Sequence, residues 1–412
     1  MLATGRPDVT PPVLRSLSTK PRKDAVVPRS VTKKRRVLTA VAGAALLASS
    51  AAIPASAADG AVGGAGPIKE YAPFPTPVSY PCEVIVDNNG KLWTDQFTGN
   101  RYGRVDPETG QVSETPLPNL AGLPGGQNKG PDGSIWFVEA TGNALGRLNP
   151  ETLHIDTYPF PWGNIGPINL PATPTINTGL GVPFDNSFGK DGKLYFALIG
   201  LNIFGSYDPA TGQWERYDIP TPLSGPIAME KGPANTIAFT EAIGNKIALF
   251  DIYTHEFTEY LIPTPGAFPG GLTVSPDDKY LYFGETLTNK IGRIEYATGK
   301  VEEFDLLALR KGLPSNLLTG NPLPNPGQMR FGSDGKLYIM QGTFTLGNQV
   351  GQFDPKTLEY NELRTPTPYS SPCDLNNTVP GKIIFAEFTG NRIAYFDIPV
   401  TEDISNTFPV FG

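Results

Sequence analysis

Histidine and cysteine are scarce in this sequence, which has two of each among 412 residues. Because imidazole and thiolate groups supply many of the general bases and nucleophiles that work at neutral pH, few such groups are available here. His154 and His255 fall in turns that the repeat described below places at the rim of the fold. Neither cysteine, Cys82 or Cys373, has a histidine base near it in any repeat, which disfavours a thiol nucleophile.

The sequence also lacks the features of long helices and of membrane anchors. With 46 Gly and 43 Pro, a potential helix breaker occurs at about every fifth position. The apolar run at 37–48 is well short of the roughly 20 residues that span a bilayer. Hydrophobic residues still make up 39% of the chain, enough for a large core. The composition therefore favours a folded, all-β protein.

Positive charge is concentrated at the N-terminus, where residues 1–57 hold ten Lys or Arg against two Asp. Four basic residues at 33–36 precede the apolar run, and Ala55-Ser56-Ala57 follows it, as in a secretory signal. We expect an extension and signal peptide over 1–57, a linker over 58–66, and one domain over 67–412. The formal net charge of −7 leaves −15 for residues 58–412. The acidic body argues against nucleic acid and anionic membrane partners. We expect a secreted monomer that binds a small molecule, with no membrane partner after cleavage.

A phrase recurs seven times, beginning at Lys91 as KLWTDQFTGNRYGRVDPETG and at Ser134 as SIWFVEATGNALGRLNPETL. Alternation of apolar and polar residues, interrupted by Gly-Asn and Asp-Pro-x-Thr-Gly turns, predicts an antiparallel meander of four strands in each repeat. The equivalent turn residues are spaced by 43, 59, 43, 44, 59 and 43 residues; they are Asp106, Asn149, Asp208, Asp251, Glu295, Asp354 and Asp397. Seven such units predict a seven-bladed β-propeller.

The segment Ile68-Lys69-Glu70-Tyr71 matches the outer strand at 257–260 and precedes the first repeat. We expect it to complete the seventh blade and to close the ring, which removes the sheet edge. A recurring acid or amide of the second strand is expected to form structural hydrogen bonds between blades, at Glu139, Glu241, Glu285, Glu387, Gln96 and Gln341. A recurring asparagine suits a turn, at Asn100, Asn143, Asn245, Asn289 and Asn391.

The start of each inner strand would face the central channel of a propeller. One aligned position reads Glu83, Gly126, Asp185, Ala228, Gly271, Gln328 and Asp374. Its carboxylates, Glu83, Asp185 and Asp374, are candidate catalytic groups and candidate ligands of Mg²⁺ or Ca²⁺, with a hydrated acidic channel mouth as the alternative. Gln328, Gln127, Cys82 and Cys373 are the expected substrate contacts.

Two further features adjoin this ring. The two long spacings insert residues at about 162–181 and 306–326, on the face where the inner strands begin. These insertions could cover a ligand pocket or fill gaps between blades. Cys82 and Cys373 occupy equivalent positions in blades that become neighbours on closure, so they form either a disulfide across the ring or two inert thiols.

The repeated phrases resemble the streptogramin lyase (virginiamycin B lyase) family of propellers. The resemblance is carried by Ile135-Trp136-Phe137-Val138-Glu139 and Asn289-Lys290-Ile291-Gly292-Arg293 and covers nearly the whole chain after residue 57. It implies elimination at an ester bond of a cyclic depsipeptide, aided by Mg²⁺, with a histidine base in a Pro-His-Gly start of an inner strand. Here the matching positions are Cys82, Gly125, Phe184, Ile227, Gly270, Gly327 and Cys373. None is histidine, so a carboxylate such as Glu83 or Asp185, with its pKa raised, would have to act as the base.

Three functional hypotheses follow from the sequence. The first is an enzyme with lyase-like chemistry on a cyclic or polycyclic secondary metabolite. The second is a Ca²⁺-dependent lactonase similar to gluconolactonases, with Glu83, Asp185 and Asp374 within roughly 2.3 to 2.6 Å of one ion. The third is a propeller that binds a small molecule or a protein without chemistry.

Overall fold

A computed structural model of the chain describes residues 63–165, 178–311, 323–342 and 347–401. The expected export segment, most of the linker and the middle of both insertions lie outside these residues. Within them, the strands form seven antiparallel sheets of four strands each. No helix among the described residues is long and apolar enough to cross a membrane. The prediction of an all-β, seven-bladed propeller is confirmed.

The first strands of neighbouring blades pack against one another and surround the channel. Blade 1 comprises Ile85–Val86, Leu92–Gln96, Arg101–Val105 and Val112–Pro116. Blade 2 comprises Pro124–Lys129, Ile135–Glu139, Ala144–Leu148 and Ile155–Pro159. Blade 3 comprises Pro183–Phe188, Leu194–Leu198, Ile203–Asp208 and Gln213–Asp218, with a 3₁₀ turn at Ile199–Leu201.

The remaining blades repeat this order. Blade 4 comprises Pro226–Lys231, Thr236–Glu241, Lys246–Asp251 and Phe257–Leu261. Blade 5 comprises Pro269–Val274, Tyr280–Glu285, Lys290–Glu295 and Lys300–Asp305, followed by a short helix at Leu306–Leu309. Blade 6 comprises Pro326–Phe331, Leu337–Gln341, Gln349–Phe353 and Tyr360–Arg364. Blade 7 comprises Pro372–Asn376, Lys382–Glu387 and Arg392–Asp397, and its fourth strand is Lys69–Glu70.

The hydrophobic core lies between blades rather than inside any one of them. One cluster joins Trp136 and Val138 of blade 2 to Phe188 and Phe196 of blade 3. The glycine of the repeated Ile-Gly-Arg motif belongs to this packing: a Cβ on Gly292 would lie 2.0 Å from the Phe283 ring of the paired strand. The aromatic ring therefore occupies the space of the missing side chain, which explains why the motif requires glycine.

Two contacts close the ring against blade 7, one at the rim and one at the channel. At the rim, Lys69 pairs with Tyr395 in the last blade, and the Gly66 N–H donates to the Asp397 carbonyl at 2.8 Å. At the channel, Cys82 and Cys373 form a disulfide with their Cα atoms 4.9 Å apart. The expected closure by the N-terminal strand is confirmed, and of the two alternatives for the cysteines the structure has the disulfide.

The recurring asparagine does more than form a turn. Asn245 has a φ of 57°, a left-handed conformation that asparagine tolerates. Its side-chain Nδ2 donates to the carbonyls of Ile262 and Thr264 at 3.0 and 3.1 Å, and its Oδ1 accepts the Ala267 N–H at 2.8 Å. This residue therefore ties the turn between the second and third strands to the loop that enters the next blade.

The recurring second-strand acid is structural, but its partners differ between blades: Asn119, in the loop between blades 1 and 2, donates to Glu139 at 2.7 Å, whereas the neighbour of Glu241 lies in its own blade. Glu241 is fully buried with no hydrogen-bond donor at either oxygen, and the nearby carboxyl group is Glu259 of the fourth strand. Burial, followed by the charge of Glu259, raises the pKa of Glu241 to about 8. With its proton retained, the Glu241 carboxyl group can donate a hydrogen bond to the Glu259 carboxylate. In blade 1 an amide does the same, since Gln96 Nε2 donates to Glu114 Oε1 at 3.1 Å.

We expect replacement of both cysteines, Cys82→Ser with Cys373→Ser, to lower the free energy of unfolding by about 2 to 4 kcal/mol. The disulfide joins residues 291 apart, so its loss frees almost the whole unfolded chain. Guanidinium denaturation followed by fluorescence measures the difference. Dithiothreitol should reduce the stability of the parent and leave that of the variant unchanged. Two free thiols in the untreated parent would contradict the assignment.

We expect the stability of the fold to fall as pH rises through about 8, because Glu241 holds a proton in the folded state that it releases on unfolding. The contribution is complete below the ordinary pKa of a glutamate and is lost as pH rises through the raised value. Glu241→Gln should keep the hydrogen bond and reduce this fall, measured as melting temperature between pH 6 and 9.

The reciprocal variant, Gln96→Glu, is the matched control for this experiment. It places an acid where blade 1 has an amide beside Glu114, and it should add to the fall in melting temperature. Equal pH dependence in the parent, Glu241→Gln and Gln96→Glu would show that Glu241 is ionised in the folded protein.

Candidate functional site

A proline begins the inner strand of blades 2 to 7 at one end of the channel, which we call the mouth, and Pro81 has the equivalent place ahead of the first strand of blade 1, where it bridges to Gln96. The residue before that proline has φ between 37° and 65° in all seven blades. This left-handed conformation is uncommon for residues other than glycine and costs free energy that the surrounding fold must supply. The seven residues are Tyr80, Leu123, Val182, Gly225, Phe268, Asn325 and Ser371.

The inner strands are irregular just after this proline. In blades 2 to 7 the pairing with the second strand shifts register there. Such bulges redirect side chains and are frequent near functional sites. Two glycines let neighbouring inner strands approach at this level: a Cβ on Gly126 would lie 2.4 Å from the Asp185 Cα, and one on Gly271 would lie 2.5 Å from the Gln328 Cα. The ring is therefore tightly packed.

Glu83 connects blade 1 to blade 2. Its Oε2 accepts a hydrogen bond from the backbone N–H of Gln127, and its own N–H donates to Asp95 Oδ1 at 2.7 Å. The side chain is half-buried. One carboxylate oxygen thus serves the joint between two blades, while Oε1 has no such role among the described contacts.

Asp185 makes the equivalent joint between blades 3 and 4, because its Oδ2 accepts the Met229 N–H at 2.8 Å. Asp374 differs, since its Oδ1 accepts the N–H of the next residue, Leu375, at 2.6 Å. The Asp374 N–H also donates to the Cys82 carbonyl at 3.1 Å, so Asp374 and Glu83 are neighbours across the disulfide. Asp185 and Asp374 are 6% and 5% exposed.

Two charged residues of the channel were missed in the sequence, Glu230 and Arg330. Arg330 Nη2 lies 2.9 Å from Glu230 Oε2 and 4.0 Å from Asp374 Oδ2. Arg330 Nη1 also donates to the Leu272 carbonyl at 3.3 Å. Both residues stand two positions beyond the aligned ring, where strand alternation returns the side chain to the same face. That periodicity was the signal that could have identified them.

The three predicted carboxyl groups share one electrostatic environment. Burial, then the charges of Asp185, Asp374 and Asp95, raise the pKa of Glu83 well above its ordinary value. Burial also raises the pKa of Asp185 well above its usual range. For Asp374, burial raises the pKa and the Arg330 guanidinium opposes that rise. Negative neighbours thus favour a proton on Glu83, whereas the adjacent guanidinium favours the ionised form of Asp374.

Asp95 lies in the second strand of blade 1, next to Glu83. It is 1% exposed, and burial raises its pKa to about 7. Its Oδ1 holds the Glu83 N–H, as Thr240 Oγ1 holds the Ala228 N–H at 3.1 Å in blade 4. Asp95 thus uses a carboxylate oxygen to fix the backbone at the channel, where Thr240 uses a hydroxyl oxygen.

The other predicted site residues divide into those at the channel and those elsewhere. Gln328 is half-buried beside Gly271 in the ring. The Gln127 side chain is directed to blade 1, where Nε2 donates to the Trp93 carbonyl at 3.4 Å. Cys82 and Cys373 are joined to each other. The histidines, His154 and His255, lie exposed in turns between third and fourth strands, as expected.

The donor set does not suit the Mg²⁺ that the family resemblance implies. No group of three or more His, Cys, Asp and Glu side chains within the described residues could hold a metal ion. Glu83 and Asp185 each use an oxygen to accept a backbone N–H of the neighbouring blade. The cation beside Asp374 is the guanidinium of Arg330. We therefore propose no reaction step that uses a metal at this ring.

Solved structures of similar fold include virginiamycin B lyase from Staphylococcus aureus, at 24% identity and a TM-score of 0.66, covering 81% of this chain and 99% of that chain. A catalytically inactive form of that enzyme with quinupristin gives the same values. Hydrazine synthase from Kuenenia stuttgartiensis is similar at 17% identity and a TM-score of 0.59, covering 79% and 97% of the two chains. At these identities the likeness shows the fold alone.

No curated protein sequence matches the chain significantly. The family model described as "Virginiamycin B lyase family" matches residues 55–178 and 175–406. Those two matches cover most of the chain and all seven blades. The chain therefore belongs to the virginiamycin B lyase family.

Proposed function

We propose that this protein is an enzyme that opens a cyclic or polycyclic metabolite at the channel mouth, by proton transfer between carboxyl groups. The observation that supports this proposal is the set of neighbouring carboxyl groups, with raised pKa values, around Arg330. A raised pKa brings the titration of a carboxyl group closer to neutral pH, which is what a general acid and a general base need.

The environments of the carboxyl groups suggest separate roles for two of them. Glu83 is surrounded by negative charge and would act as the acid. Asp374 lies beside Arg330 and would act as the base. Asp185 would be a positioning residue, because its charge helps to keep the proton on Glu83. This pattern follows the general rule that paired carboxyls are assigned acid and base by their surroundings.

For an ester of a cyclic depsipeptide, the step is an elimination. The Asp374 carboxylate takes the proton from the carbon beside a carbonyl group, and the released electron pair forms a carbon–carbon double bond. The ester carbon–oxygen bond breaks, and its oxygen leaves with both electrons as a carboxylate. Glu83 donates its proton to that carboxylate. The ring opens without water, and the mass of the substrate does not change.

The depsipeptide class is supported by family membership and by the quinupristin named for the Staphylococcus aureus relative. The proposed lactonase receives no such support, since it needs a metal that the described donor set does not suit. A binding propeller without chemistry is favoured by one observation. Glu83 and Asp185 both accept backbone N–H groups of the next blade, which is a structural role in itself.

The test incubates the full chain with virginiamycin B and with quinupristin and follows the products by liquid chromatography and mass spectrometry. We expect a ring-opened product of unchanged mass from at least one of them. Glu83→Gln and Asp374→Asn should each slow its formation by about 10² to 10⁴-fold. The control is Asp132→Asn, which removes a carboxylate at the opposite end of the blades and should leave the rate unchanged.

The pH profile separates catalysis from a structural role. The rate should fall at low pH as Asp374 takes up a proton, and at high pH as Glu83 loses its proton. Asp185→Asn removes a negative neighbour, lowers the pKa of Glu83, and should move the alkaline limb to lower pH. If either compound raised the melting temperature without forming a product, the protein would be a binding propeller and not the proposed enzyme. A product heavier by one water would contradict elimination.

A further inference from the structure

Exposed apolar side chains are concentrated on one face of the ring. The described residues include a set of large hydrophobics that are at least 36% exposed. All of them lie at the mouth face, in turns between second and third strands, at strand ends or in loops between blades, except Leu153, Tyr253, Leu358 and Val400. Isolated exposed apolar residues are normal on a protein surface, but their segregation to one face is not.

The loop and turn tips of the same face carry almost no charge, although two fourth strands end beneath them at the exposed residues Asp218 and Asp305. Within the described residues, the turns between second and third strands contain no Asp, Glu, Lys or Arg. The loops that lead into the inner strands contain none either, apart from Arg310 and Lys311 after the fifth blade. Arg310 is paired with Glu362 at 2.6 Å. The turns at the opposite end of the blades hold many charges, including Asp132 and Asp334.

The most exposed of these side chains belong to neighbouring, well-ordered turns. Leu223 is 79% exposed, Ile243 is 69% exposed and Leu287 is 63% exposed. Their turns are held to the loops beside them, because the Ile243 N–H donates to the Ser224 carbonyl at 2.9 Å and the Leu287 N–H to the Ala267 carbonyl at 3.1 Å. The side chains therefore project from a rigid frame rather than from loose loops.

The arrangement is a ring rather than a pocket. The exposed apolar residues of the mouth face belong to widely separated blades; examples are Val78, Leu120, Leu223, Leu287 and Tyr369. One small ligand at the channel cannot contact loops on opposite sides of the ring. An occupant that touches them together must be extended and apolar, and it must tolerate a face with few basic residues.

We propose that the mouth face rests on the surface of an uncharged, zwitterionic lipid bilayer, with these apolar side chains inserted among the headgroups. Peripheral binding of this kind depends on the apolar area buried, and electrostatic attraction adds to it only when basic residues face anionic lipid. The acidic body disfavours an anionic membrane. It does not oppose a zwitterionic surface, toward which the chain would present its uncharged loop tips, and here the proposal departs from the sequence-based expectation of no membrane partner.

A second copy of the chain fits this face less well. Apolar side chains on separate projecting turns meet at their tips when two such faces approach, and they leave the channel mouths and the gaps between loops unfilled. A stable protein interface needs about 800 Å² of closely packed surface on each partner. A lipid headgroup layer deforms around each side chain, so every projecting residue can be buried. The inference goes beyond the proposed function and does not depend on the chemistry at the channel.

The test measures co-sedimentation of the full chain with vesicles of pure phosphatidylcholine. The triple variant Leu223→Ser, Ile243→Ser and Leu287→Ser should lower the bound fraction by about tenfold, because three inserted apolar side chains are lost. The matched control is Leu153→Ser, Tyr253→Ser and Leu358→Ser. It removes three exposed apolar residues from turns at the opposite end of the blades and should bind as the parent does.

All three proteins share residues 1–57, so any lipid binding by that segment is common to them and cancels in the comparison. Circular dichroism and melting temperature confirm that each is folded. No binding of the parent, or an equal loss in both triple variants, would overturn the proposal. So would a parent dimer in sedimentation velocity without lipid that the mouth-face variant abolishes, because the occupant would then be a second copy. Vesicle binding without ring opening of any depsipeptide would leave this inference intact while removing the proposed enzyme.

Discussion

The structure depends on apolar burial between blades, because each four-stranded sheet completes its core only against its two neighbours. Trp136 of blade 2 and Phe196 of blade 3 belong to one cluster, and every other joint is built in the same way. A ring of such units has no exposed apolar flank only when it is closed. Two contacts close the ring and thereby stabilise the whole fold: the pairing of Lys69 with Tyr395 and the disulfide of Cys82 with Cys373.

The position of the candidate site follows from that closure. Glu83 belongs to the first blade and Asp374 to the last, and they become neighbours because the ring closes between them. Arg330 then reaches Glu230 across blade 5 and lies 4.0 Å from Asp374. The chemistry available at the mouth thus differs from that of a family member with a histidine base. It consists of carboxyl groups whose pKa values are raised by burial and, at Glu83, by neighbouring negative charge, with the guanidinium of Arg330 beside Asp374.

The sequence predicted the fold because the repeat combines three independent signals: strand alternation, turn residues and a spacing near 43 residues. It predicted Glu83, Asp185 and Asp374 because alignment of the inner strands needs nothing more than the repeat. It could not predict that Glu83 and Asp185 accept N–H groups from the next blade, since those contacts depend on the bulges and on the distance between blades. It also misplaced the partner of Glu241, which strand pairing sets within one blade. Arg330 was within reach of the same alignment, two residues further along the strand.

Closure by the N-terminal strand also fixes the order in which the molecule can be completed. Lys69–Glu70 is synthesised before any blade, yet its partner, Arg392–Asp397, is the last strand among the described residues. Until that strand leaves the ribosome, the outer half of blade 7 is missing and the core between blades 7 and 1 is incomplete. A chain cut shortly before residue 392 therefore loses two strands from the same sheet, one at each terminus, and with them the joint that seals the ring.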